Sequence, residues 1–61
     1  MARWLLTIKD RHRMNRQRSV TYDNGRPSDY QVATEKGNAC FMWYCFPHEL
    51  DTTLQEMKDN D

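Results

Sequence analysis

The residues that carry most chemistry in this chain are its arginines. Arg11, Arg13, Arg16 and Arg18 fall within eight positions, in the company of His12, Asn15 and Gln17 and with no acid among them; Arg26 follows beyond a turn sequence. A guanidinium offers a planar fork of donors that matches phosphate or carboxylate oxygens two at a time, and a neighbouring amide adds contacts to base edges or sugars. These eight residues are therefore expected to grip an anionic surface, with nucleic acid or a nucleoprotein complex ahead of an acidic protein surface. If four or five cations each neutralise one phosphate, affinity should fall with salt at a log–log slope of roughly −3 to −5. The charge distribution agrees. The net charge is zero, yet residues 1–26 carry 7 − 2 = +5 and residues 47–61 carry 1 − 5 = −4.

Other constellations are weaker. His48-Glu49 has no nucleophile beside it, and neither glycine belongs to a phosphate-binding loop. A chain of 61 residues also lacks scaffold for the roughly 300–1,000 Å³ of a small-molecule site. Neither catalysis nor a cofactor nor a small-molecule substrate is expected. Cys40, Cys45, His12 and His48 make up a formal Cys₂His₂ set, but zinc ligands usually come in pairs two to four residues apart on a turn, so no metal is expected. Read on one strand, Cys40 and Cys45 project from opposite faces about 16 Å apart, at about 3.3 Å per residue. A disulfide tolerates about 7 Å. Two reduced thiols, an N-terminus that does not read as a signal peptide and an apolar run (39–46) far short of the roughly 20 residues of a membrane span place the expected protein in the cytoplasm.

The elements that would position these groups can be read from periodicity. Trp4, Leu6 and Ile8 alternate with Leu5, Thr7 and Lys9, which predicts a strand at 3–10. Residues 11–18 show no apolar period and read as a basic hairpin loop. Alternation resumes around Val20 and Tyr22, predicting a strand at 18–23 that Asn24-Gly25 and Pro27 end. Ser28 and Gln31 have the spacing of a capping box, and Gly37 sits where a C-cap would be, so a short helix at 29–36 is expected. Tyr30, Val32 and Thr34 also alternate, and a third hairpin strand there competes with it. Residues 39–46, aromatic and bounded by Gly37-Asn38 and Pro47, read as the central strand. Leu50, Leu54 and Met57 recur at helical spacing, predicting an amphipathic helix at 48–58.

The expected fold is thus one small α+β domain, a three-stranded, mostly antiparallel sheet with its helices on one face. The other face of the 39–46 strand would expose Met42, Tyr44 and Phe46, and these are the expected protein interface, for a homodimer or another protein. Lys36-Gly37-Asn38-Ala39-Cys40-Phe41-Met42-Trp43 looks faintly like the longer motif of RNA-recognition sheets, but Asn38 and Cys40 stand where stacking aromatics belong. The functional expectation is a non-enzymatic interaction module whose arginine loop binds nucleic acid. The alternative is a small protein-binding inhibitor or adaptor, of the kind phages and mobile elements encode, whose arginines dock on an acidic protein surface.

Overall fold

A computed structural model describes residues 2–57. Strand β1 (Arg3–Asp10) turns back into β2 (Gln17–Tyr22), helix α1 (Asp29–Trp43) crosses the sheet, and a single 3-10 turn (Pro47–Glu49) leads into β3 (Leu50–Met57). The sheet order is β2-β1-β3, and β1 pairs antiparallel with both neighbours. This is a small α+β fold built on a three-stranded antiparallel sheet, as the sequence implies.

The pleat of β1 decides how the sheet is used. Side chains alternate along a strand, so Trp4, Leu6, Ile8 and Asp10 share one face, and the register adds Val20 from β2 and Leu50 and Leu54 from β3. Helix α1 covers this face. Its Val32, Ala39, Cys40 and Trp43 recur three, four and seven positions apart and pack on a core of Leu6, Ile8, Ala39 and Leu50. Leu6 and Ile8 are the large side chains buried completely. The opposite face carries Thr7, Lys9, Ser19, Thr21, Thr53 and Gln55 around Leu5, with Met57 at its edge, a mostly polar surface that faces water.

Two elements differ from the sequence reading. Residues 39–46 are not a strand: they form the second half of α1 and the turn that ends it. The capping box at Ser28 and Gln31 starts the helix as expected, with Gln31 N donating to Ser28 Oγ (3.2 Å) and Ser28 N donating to Gln31 Oε1 (2.9 Å). Gly37 does not stop it. A mid-helix glycine costs only about 0.5–1 kcal/mol, less than burying Ala39, Cys40 and Trp43 against the sheet returns. The strand alternative for 29–36 falls with the same observation.

The expected helix at 48–58 is instead β3, with Lys58 outside the described residues. Leu50 and Leu54 also stand four apart in a period of two, with β-branched Thr52 and Thr53 between them. Pairing with β1 sends Leu50 and Leu54 inward and Met57 to the far face. The cysteines move with the helix. Cys40 and Cys45 lie side by side at its C-terminus as free, half-buried thiols, rather than on opposite faces of a strand. Burial pushes the Cys45 thiol up, and the adjoining Cys40 adds to the shift.

Between β2 and α1, the Tyr22 hydroxyl is buried without a hydrogen-bond partner among the described residues. Glu35 Oε1 is 3.3 Å from Arg18 Nη2, near enough for charge attraction but not aligned as a hydrogen bond. Burial, reinforced by Glu35, pushes the Tyr22 phenol up, and Arg18 opposes the shift. Because an unpaired buried hydroxyl is a net cost, Tyr22→Phe should leave stability unchanged or raise it by up to about 1 kcal/mol in urea denaturation. A loss of more than that would mean that the hydroxyl has a partner.

Candidate functional site

The basic loop is organised by Asp10, the last residue of β1. Its carboxylate is only 6% exposed. Oδ1 accepts from His12 N (2.8 Å) and Arg13 N (3.3 Å), which turns the chain out of the strand. Asp10 N donates to Arg16 O (3.0 Å) and closes the loop. The Arg16 guanidinium then lies 3.9 Å from Asp10 Oδ2 and donates to the Trp43 carbonyl at 2.8 Å. That bond satisfies one of the carbonyls a helix end leaves without a partner. Arg11 N donates to Glu49 O (2.9 Å), and the Arg11 side chain holds Asp51 by a forked pair with Nη2 to Oδ1 at 2.8 Å. Loop 11–16, the end of α1 and the 3-10 turn therefore meet at one end of the molecule.

The expected binding residues separate accordingly. Arg11, His12, Arg13, Asn15 and Arg16 come together at this end. Gln17 and Arg18 belong to β2, with Arg18 turned toward Glu35 under the helix. Arg26 sits over the Trp4 ring, 5.5 Å from its centroid, at the opposite end of β1, about 20 Å away at the rise of a strand. Arg11, Arg16 and Arg18 each face a carboxylate of the chain itself. Arg13 has no ion pair among the described residues. At the loop end Lys9, Arg11, Arg13 and Arg16 meet Asp10, Glu49 and Asp51, giving 4 − 3 = +1. The C-terminus of α1 brings partial negative charge to the same place.

The same end displays apolar side chains. Met14 is 93% exposed, Tyr44 95% and Phe46 68%, with Met42 half exposed beside them. Phe46 stacks on His48, ring centroids 5.7 Å apart and 10° from parallel. The expected interface residues Met42, Tyr44 and Phe46 are thus exposed, but on the last turn of α1 and the turn beyond it, not on a sheet face. Among the described residues the open face of the sheet carries no aromatic side chain, and the sheet's Trp4 and Tyr22 lie half-buried on the helix-covered face. Met14, which the loop carries outward, was not anticipated, since a lone methionine among arginines gives no periodic signal.

Tyr44 is the residue least explained by folding. It ends α1 in the left-handed conformation, φ 53° and ψ 50°, with its N–H donating to Cys40 O. That conformation costs an L-residue roughly 1–2 kcal/mol, and helices usually meet it with glycine. The side chain buries almost nothing in return.

Surface depressions among the described residues include ones of about 170, 260 and 270 Å³, with Tyr22 and Glu35 lining the first. Each of these is smaller than a typical small-molecule site. Among the described residues no three His, Cys, Asp or Glu side chains are grouped to hold a metal ion, and no helix is long and apolar enough to cross a membrane. No family model matches the sequence, and no curated protein or solved structure matches it either.

Tyr44→Gly should raise the unfolding free energy by about 1 kcal/mol, because it removes the left-handed penalty and only exposed surface. Thermal and urea denaturation would measure it; a destabilised variant would mean that the ring packs on the chain. The forked pair with Arg11 holds the Asp51 carboxyl below the usual aspartate range, chiefly through its hydrogen bond. A lowered folded pKa contributes stability above the unfolded value, and that contribution is lost as pH falls through the folded one. Arg11→Ala should therefore bring the Asp51 carboxyl back to the ordinary range in an NMR titration, and its effect on stability should vanish in acid.

Proposed function

We propose that this chain is a non-enzymatic protein-binding module, of the inhibitor or adaptor kind, which docks through the end formed by loop 11–16 and the turn after α1. Met14, Tyr44 and Phe46 enter an apolar cleft of the partner, and Arg13 meets a carboxylate at its rim. The observation that carries the reading is Tyr44, a strained tyrosine displayed almost entirely to solvent. Aromatic side chains that fill a partner's pocket supply most of the energy of an interface, and arginine is the cation most often paired there. The two free thiols fit the reducing conditions of a cytoplasm, where we place the protein's action.

The nucleic-acid reading has less behind it. Its arginines are largely engaged with Asp51, Asp10 and Glu35. Exposed ion pairs are worth little, and a polyanion would compete for them, but an end with a formal charge near +1 attracts it weakly. At that end Lys9 and Arg13 have no ion pair among the described residues, which limits the salt slope to about −2.

Two measurements separate these classes. Fluorescence anisotropy with single-stranded RNA and DNA oligonucleotides should show little binding at physiological salt, and any binding should have a slope of about −2 or shallower. A slope between about −3 and −5 that Arg13→Ala and Arg11→Ala reduce would overturn the proposal in favour of nucleic acid. Affinity purification after nuclease treatment should recover one stoichiometric protein. Phe46→Ala should weaken that complex at least about 30-fold, as hot-spot truncations do, and Arg13→Glu should weaken it as well. Recovery that ignores both substitutions would place the contact elsewhere.

A further inference from the structure

Cys40 and Cys45 carry chemistry that docking does not use. Both thiols are free, half-buried and packed against the core at the C-terminus of α1. The turn that ends the helix brings them together. Cys45 N donates to Cys40 O at 3.2 Å, and the N–H of Tyr44, in its left-handed conformation, donates to the same carbonyl. A bond that spans six residues around a left-handed one is a common helix ending, and it brings the first and last side chains of the span into contact. Here those side chains are the two cysteines.

The separation suits a covalent link. With ordinary bond lengths on either side, the bond from Cys45 N to Cys40 O holds the two Cα atoms within about 7 Å of each other. Bends at the nitrogen and the oxygen shorten that path, and disulfides form at Cα separations of roughly 4.4–6.8 Å. The thiols also sense one another: after burial, the adjoining Cys40 pushes the Cys45 thiol up by charge and hydrogen bonding, with Asp10 and Glu49 adding to the shift. A protonated thiol is a poor nucleophile, so the pair rests reduced until an oxidant is supplied.

We infer that Cys40 and Cys45 are the site of a reversible intramolecular disulfide, and that closing it locks the turn that displays Tyr44. The oxidant is a small disulfide of the glutathione class. One cysteine, as its thiolate, attacks a sulfur of glutathione disulfide, and the S–S bond breaks to release one glutathione thiolate. The other cysteine gives its proton to solvent, attacks the protein sulfur of the mixed disulfide and expels the second glutathione. Two protein thiols are oxidised and one glutathione disulfide is reduced to two glutathiones. Excess glutathione reverses both steps, as befits the transient disulfides of a reducing compartment. The bond closes a ring over 40–45 on the core side of the turn and leaves the Tyr44 side chain outside. Formation of the bond is independent of the docking proposal; its value for docking, a Tyr44 presented already ordered, rests on that reading.

Equilibration of the full chain in mixtures of reduced and oxidised glutathione, quenched by alkylation and read by mass spectrometry, tests the site. The wild type should become a single-chain product two hydrogens lighter that takes up no alkylating agent, while Cys40→Ala and Cys45→Ala should each stop at one glutathione adduct. Because the fold holds the thiols together, half-conversion should occur at a ratio of oxidised to reduced glutathione at least about tenfold lower in the folded chain than in urea. By linkage, the disulfide should favour folding by the same factor. In the oxidised chain the amide hydrogens of Tyr44 and Cys45 should exchange several-fold more slowly. A wild type that ends with glutathione on both cysteines, a disulfide between two chains, or a bond that forms as readily in urea would overturn the inference. Unchanged exchange at Tyr44 and Cys45 would overturn the locking of the turn. A docking end that binds no protein would leave each of these readouts in place, so the two proposals fail separately.

Discussion

Everything in this molecule leans on β1. It is the one strand with a neighbour on each side, and its inward residues Leu6 and Ile8 are the large side chains removed wholly from water. Around them Ala39 and Leu50 complete the buried apolar cluster of the described residues, so the core is close to the smallest that can order a sheet and a helix. A core of that size has few side chains to spare. That makes the exposure of Met14, Tyr30, Phe41, Tyr44 and Phe46 informative, because each is apolar surface that the fold leaves outside.

Legibility in the sequence followed the strength of local signals. Strand β1 announced itself by strict alternation over six residues, and β2 by alternation ended with turn chemistry at Asn24-Gly25. The start of α1 was visible in one pair of residues, Ser28 and Gln31, whose reciprocal bonds the structure contains. Its end was misplaced because Gly37 and the aromatic run beyond it are local cues for a stop and a strand, while the deciding force is tertiary: Ala39, Cys40 and Trp43 can reach the core only if the helix continues. Residues 50–57 were misread for a related reason. Three apolar residues fit two periods, and what chose between them was the unpaired edge of β1, which no local window contains.

The candidate site shows the same division. Composition located the arginines but could not see their partners, since Asp51 is forty residues from Arg11 and Glu35 seventeen from Arg18. A cluster that is purely cationic in sequence becomes nearly neutral once β3 lies alongside. Exposure of Met42, Tyr44 and Phe46 was anticipated from an incorrect strand, and the physical ground for it differs: they follow the point where α1 runs off the edge of the sheet. The role of Asp10 had no signature beyond an acid at a strand end, although it shapes the whole loop through two backbone amides.

The register of β1 against β3 joins Arg3 to Met57, 57 − 3 = 54 positions apart. Closing a loop that long costs entropy before any contact across it can compensate, and chains dominated by such remote pairings assemble slowly. The hairpin of β1 and β2 can form early, but without Leu50 and Leu54 it presents Leu6 and Ile8 to water along an open edge. Until the far end of the chain arrives, the nascent protein is a sticky ribbon, and its exposure to aggregation is set by how long that search takes.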